Sequence, residues 1–230
     1  MPIITRLERQ KRHKERVSVY LDGQFAFGVP EMDAARLRLG QSLDEEAIAT
    51  LRQQDAVERA CGLAVRLLTS RPRAEQEIRQ ALRRHQTDEG VMELALERLR
   101  RQGYLDDVAF ARYWVESRSA FKPLGLRALR YELRQKGVAA EVIDDVLSMW
   151  DETGQASEDS LAYQAAQRQL RKLRGHNERA LRRALMAFWQ RRGFSASASR
   201  QAWARLAEEL RDAGFFRNSI ADAVTSLEDD

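Results

Sequence analysis

Cysteine is almost absent from this chain. Cys61 is the one thiol in 230 residues, so no internal disulfide can form and no paired-thiol metal site can be built. That fits a reducing cytoplasm, with Cys61 read as a small core residue. Proline and glycine are scarce, at 4 and 12. Against them stand abundant Ala, Leu, Arg, Glu and Gln, which lean most of the length towards helix and exclude an all-β protein. No apolar run approaches the ~20 residues that span a bilayer. Met1-Pro2-Ile3 leads directly into charged sequence rather than a signal peptide, so a soluble, cytoplasmic chain with no membrane partner is expected.

Catalytic signatures are missing too. The three histidines, His13, His85 and His176, lie far apart with no second ligand four residues on, and no phosphate-binding, dinucleotide-binding or nucleophile-elbow glycine motif occurs. Asp106-Asp107 and Asp144-Asp145 are paired carboxylates, but neighbours on a helix point about 100° apart and do not converge on one substrate. Capping is the reading of the first pair. No enzyme, metal, cofactor or catalytic residue is expected.

What is present is unevenly placed charge. Thirty-nine basic against thirty-five acidic residues leave +4. Arg6, Arg9, Lys11, Arg12, Lys14 and Arg16 face only Glu8 and Glu15 near the start. Arg168, Arg171, Lys172, Arg174, Arg179, Arg182, Arg183, Arg191 and Arg192 face Glu178 alone further on. Such blocks favour a polyanion or an acidic partner, with solvated helix faces as the plain alternative.

The β signal is confined to VSVYLDGQFAFGV, from Val17 to Val29, read as a hairpin turning at Asp22-Gly23. A brief helix from Asp33 to Arg38 and a helix opened by a Ser42–Glu45 capping box and running to about Gln53 complete a module over residues 1–54. Beyond it the helices repeat. With Leu82 set against Leu133, Val91, Met92, Leu96 and Leu99 meet Val142, Ile143, Leu147 and Trp150, an offset of 51; with Leu133 set against Trp189 the offset is 56, and Gly137 meets Gly193. GLAVRLLTSR from Gly62 matches AFARYWVESR from Ala109 at an offset of 47. Three-helix units are therefore expected over residues 55–105, 106–153 and 154–230, the last with a helical tail. Stacked in series, such units form a curved, elongated rod. Trp114, Trp150, Trp189 and Trp203 fall on apolar stripes and read as core.

The joint between the first two units is RRQGYLDDVAFARYWVESR. Gly103 supplies the left-handed residue that ends one helix, Asp106 or Asp107 caps the next, and Tyr104 and Leu105 seal the seam.

Those residues carry a resemblance. GYLDD, then F-A-R-Y and E-S-R, then L-R-x-E-L-R-Q-K-G-V (Gly103 to Asp107, Phe110, Ala111, Tyr113, Arg118, Gly125, Glu132, Leu133, Lys136 and Gly137) resembles the RecX family of bacterial recombinase regulators, and ITRLERQKRHKERVSVYLDG resembles the N-terminal extension of its longer members. The departures are Gln86, where a glycine is usual, and the Ala-rich Ser195 to Ala202 in place of an acidic, aliphatic helix.

The resemblance implies tandem three-helix repeats and a monomer that binds the RecA recombinase filament. It implies suppression of that filament's strand exchange, ATPase and coprotease activities in DNA repair, recombination and the SOS response. Contact with single- or double-stranded DNA is implied as well. The basic residues expected to face filament or DNA are Arg127, Arg130, Arg134 and Lys136 in the middle unit, with Arg168, Arg171, Lys172, Arg174, Arg179, Arg182 and Arg183 in the third. A DNA-binding protein acting alone, and a helical-repeat scaffold for peptides, are the rival readings.

Overall fold

The computed structural model describes residues 1–11, 15–152, 157–173 and 176–216. The chain divides into two compact units, Met1–Asp106 and Asp107–Asp230.

The first unit opens with an antiparallel sheet in the order β1 (Ile4–Arg9), β2 (Arg16–Leu21), β3 (Gln24–Pro30). The β2–β3 hairpin turns at Asp22-Gly23, both in the left-handed region (φ 48 and 86), as a two-residue turn of that composition requires. Val17, Val19 and Leu21 point into a small core with Ile4, Phe27, Val29, Leu43 and Ile48. The expected hairpin is thus a three-stranded sheet. β1 hides among charges because it is an edge strand, with Ile4 alone fully buried and Arg6, Glu8 and Arg9 in solvent.

Two further expectations near here are corrected. The short helix α1 spans Glu31–Ala34 rather than Asp33 to Arg38. The long helix α2 (Glu45–Ser70) is capped by Asp44, whose carboxylate accepts from the Ala47 amide at 2.7 Å, while Ser42 lies in a bridge to Ile3. An acidic cap one residue before the helix meets the free amides directly and adds a favourable charge at the positive end.

α2 runs unbroken for 26 residues, so residues 54 and 55 lie inside it. Its first half packs on the sheet and its second half is the first helix of repeat 1, with α3 (Glu75–Arg84) and α4 (Glu89–Arg101). Asp55 is buried within α2 and ion-pairs with the largely buried Arg16 of β2, which ties sheet to helix.

The second unit holds α5 (Asp107–Phe121), α6 (Leu126–Gln135) and α7 (Ala140–Glu152) as repeat 2, and α8 (Glu158–Leu170), α9 (Glu178–Arg191) and α10 (Ala196–Asp212) as repeat 3. The offsets hold residue for residue. Ile78, Leu129 and Leu185 are equivalent and wholly buried, as are Leu82, Leu133 and Trp189. The residue ending the second helix has positive φ in all three repeats: Gln86 (56), Gly137 (83) and Gly193 (78). Chain direction at this tight helix–helix turn demands the left-handed conformation, and the first repeat forces it on a non-glycine.

Gly103 is left-handed as expected (φ 75), and Leu105 is buried in the repeat 1 core. Tyr104 departs from expectation: its side chain is about half exposed. Of the tryptophans, Trp189 and Trp203 are buried. Trp114 and Trp150 are half-buried, and Trp114 has Arg118 at 4.4 Å and Lys136 at 4.9 Å over its ring.

Repeat 1 carries a dense ionic network. Arg100 forks onto Glu75 at 2.6 and 2.7 Å, and Arg79 joins Glu75 to Glu93. Hydrogen bonding from Arg100 holds the Glu75 carboxyl below its usual range, against the opposing effect of burial. A lowered carboxyl pKa gives stability present above the unfolded value near 4.3 and lost as pH falls through the folded one. Glu75→Gln is therefore expected to cost about 1–2 kcal/mol at neutral pH. Its urea-unfolding stability should also fall less steeply than the wild type's below about pH 4.

Candidate interaction surface

The residues singled out for charge do not share one fate. On α6, Arg130 bonds Asp144 of α7 at 3.0 Å, the counterpart of Arg79–Glu93 one repeat earlier. It is a helix-to-helix tie of the repeat before it is anything else. Lys136 lies half-buried over Trp114. Arg127 is exposed and reaches the Gln190 carbonyl at 3.4 Å, while Arg134 is exposed and forms no ion pair with a described residue.

Between Arg127 and Arg134 stands Tyr131, 64% exposed. Spacings of four and three place all three on one face of α6, an aromatic flanked by two guanidiniums. Sequence reasoning passed over Tyr131 because it falls among charges and off the apolar stripe.

In the third repeat, Arg168 turns back onto repeat 2. Its guanidinium donates to the Phe121 and Ala120 carbonyls at 2.9 and 3.0 Å, at the C-terminal end of α5 where unpaired carbonyls gather negative charge. Arg192 donates to the Pro123 carbonyl at 3.2 Å. Burial pushes its pKa down, and the neighbouring Arg168 adds to that.

From the other side, the Glu158 carboxylate accepts from the Leu126 and Ser195 amides at 3.0 and 3.1 Å. The Gly125 amide donates to the Arg192 carbonyl at 3.0 Å. These groups clamp repeat 2 to repeat 3. Neither Arg192 nor Glu158 announces such a role in the sequence, because their partners lie some thirty to seventy positions away.

Arg171 and Lys172 are exposed just past α8, and Arg179, Arg182 and Arg183 are exposed on α9. None of the five forms an ion pair with a described residue. Arg174 lies outside the described residues.

The first unit adds a concavity of about 740 Å³ between sheet and α2, lined by Phe25, Arg59 and Arg66 and floored by the Arg16–Asp55 pair. Its charges are largely matched within it. Among the described residues no group of three or more His, Cys, Asp or Glu could hold a metal ion, and no helix is long and apolar enough to cross a membrane. Burial pushes the Cys61 thiol pKa up, consistent with a core residue.

Comparison with known proteins gives three matching family models along the chain. They are the regulatory protein RecX N-terminal domain over residues 2–44, the RecX first three-helix domain over 60–99 and the RecX second three-helix domain over 106–147. A regulatory protein RecX of Limosilactobacillus reuteri is 34% identical over 199 residues, covering 86% of this chain and 74% of that protein. One of Thermobifida fusca is 38% identical over 161 residues, covering 70% and 84%. One of Lactobacillus gasseri is 33% identical, and the match spans 63% of its length. A crystal structure of a regulatory protein RecX superposes with a TM-score of 0.69 at 32% identity, covering 86% of this chain and 97% of that one. That of RecX from Lactobacillus salivarius, at 16% identity and a TM-score of 0.60, shares the fold.

Proposed function

This chain belongs to the RecX family of regulatory proteins, and from that premise we propose that it binds the RecA recombinase filament in the cytoplasm and lowers its recombinase, ATPase and coprotease activities. It acts in DNA repair and recombination as a binding protein, with no chemistry of its own. The observation that carries the reading is the exposed Arg127–Tyr131–Arg134 face of α6, in the most family-like repeat. Tyrosine and arginine together are the residue types that dominate protein–protein affinity, the ring supplying area and the guanidiniums forked bonds to carboxylates. Arg130 and Lys136 support that face from its edges through Asp144 and Trp114. Occupying the filament surface lowers activity by excluding whatever must otherwise bind there.

The test adds the full chain to preformed recombinase filaments on single-stranded DNA and follows ATP hydrolysis. Inhibition is expected at stoichiometric or lower amounts, weakening as salt rises, and Tyr131→Ala should weaken it about tenfold or more, the loss of a 1.4–2 kcal/mol contact. Undiminished ATP hydrolysis in the presence of the wild-type protein would overturn the proposal.

A further inference from the structure

Because the three repeats keep one register, they can be compared charge by charge. From Pro72 to Arg100 the first repeat carries six basic and six acidic residues. The equivalent stretch of the second, Pro123 to Asp151, carries four and five. The third, Arg179 to Ala207, carries seven and none. The change is sharpest where the first two repeats neutralise themselves. Arg79–Glu93 and Arg130–Asp144 tie the second helix to the third, and the equivalent positions in repeat 3 are Met186 and Arg200. A carboxylate has become an arginine, and its partner arginine a methionine.

The unbalanced charge is also free. Arg179, Arg182, Arg183, Arg191 and Arg200 are all exposed, and none forms an ion pair with a described residue. Arg192 and Arg205, by contrast, are engaged by the Pro123 carbonyl and by Glu209.

The apolar surface divides the other way. Tyr113, Phe121, Tyr131 and Met149 are exposed on repeat 2, whereas among the described residues repeat 3 exposes no large apolar side chain. A protein partner needs such anchors, since charge alone contributes little net affinity across a protein interface. A nucleic acid needs none: phosphate neutralisation and counterion release supply the binding.

We propose that repeat 3 is the unit that holds the phosphodiester backbone of a nucleic acid, through Arg179, Arg182, Arg183, Arg191 and Arg200, while repeat 2 presents the protein-facing surface. The inference rests on the regulatory reading only for the setting in which the nucleic acid is met. Guanidiniums on α9 and α10 grip phosphate oxygens without reading bases, so binding is independent of sequence and steeply dependent on salt.

The test measures anisotropy of a labelled oligonucleotide, single-stranded in one arm and duplex in the other, titrated with the full chain at several salt concentrations and no recombinase. Arg182→Ser, Arg183→Ser and Arg200→Ser combined should weaken binding about tenfold or more in at least one arm. They should also flatten the log K against log salt slope by about 2, at ~0.7 per phosphate lost on a single strand and ~0.9 on duplex. The arm that responds names the form of nucleic acid held. Lysine at the same three positions keeps the charge and should keep the slope, which separates lost contact from lost fold. Arg38, Arg52 and Arg84, exposed in the first unit, should be removable to serine with no more than a twofold change.

Unchanged affinity and slope in the triple serine variant would overturn the inference. So would loss of ATPase inhibition with oligonucleotide affinity intact, because the face would then be docking on acidic protein. If the slope flattens as expected while the wild-type protein leaves recombinase ATPase untouched, the inference stands and the regulatory proposal fails.

Discussion

Replacing Gly125 by alanine is expected to cost about 3 kcal/mol or more and to part repeat 2 from repeat 3. The backbone of Gly125 is extended (φ −73, ψ 161), a conformation alanine adopts freely, so no strain of its own enters. What forbids the methyl is space. A Cβ there would overlap the Gly193 carbonyl and the Phe194 Cα, which are main-chain atoms that no rotamer change can move aside. Gly193 is closed from the other side, where its own Cβ would lie 2.6 Å from the Cβ and amide of Ala128. Parting the two backbones breaks the Gly125 amide to Arg192 carbonyl bond and pulls Glu158 from one of the two amides it bridges. Urea unfolding read by tryptophan fluorescence checks the loss, and limited proteolysis should open new cleavage near residues 121–125. A loss under about 1 kcal/mol would mean that the two backbones do not meet here.

Trp189→Ala should destabilise the second unit by about 3–5 kcal/mol, the range for emptying a large buried aromatic site. Trp189 is wholly buried among Leu161, Ala162, Ala166, Leu185, Trp203 and Leu206, and its Nε1 donates to the Ala162 carbonyl at 2.8 Å. The alanine variant therefore leaves both a cavity and an orphaned carbonyl on α8. Trp189→Phe retains most of the volume and loses the bond, so it should cost about 1–2 kcal/mol. Chemical denaturation of the three proteins gives the order directly. If phenylalanine is as damaging as alanine, the hydrogen bond rather than the volume holds α9 to α8.

The offsets of 51 and 56 were legible because a buried stripe at three- and four-residue spacing, ended by a left-handed residue, leaves a mark that substitution among apolar side chains does not erase. β1 was not, since an edge strand with one buried residue in six carries no alternation to detect. The continuity of α2 was hidden by Arg52-Gln53-Gln54-Asp55, which looks like a polar linker. In the fold Asp55 is buried, and a carboxylate can stand there because Arg16, 39 positions earlier, comes to meet it.

The candidate surface was half readable. Exposure of Arg134, Arg179, Arg182 and Arg183 follows from helical phase. That Arg130 is spent on Asp144 and Arg168 on the end of α5 depends on contacts between helices, which the order of residues does not state.

The clamp between repeats 2 and 3 has a practical corollary in ionic strength. Arg168 and Arg192 hold main-chain carbonyls, and Glu158 holds main-chain amides; these links pair a charge with a neutral dipole inside one chain, and forming them releases no counterions. Concentrated salt that strips a polyanion from this protein should leave its two C-terminal repeats locked together. The protein can then be washed clean of nucleic acid and returned to low salt with its binding face intact.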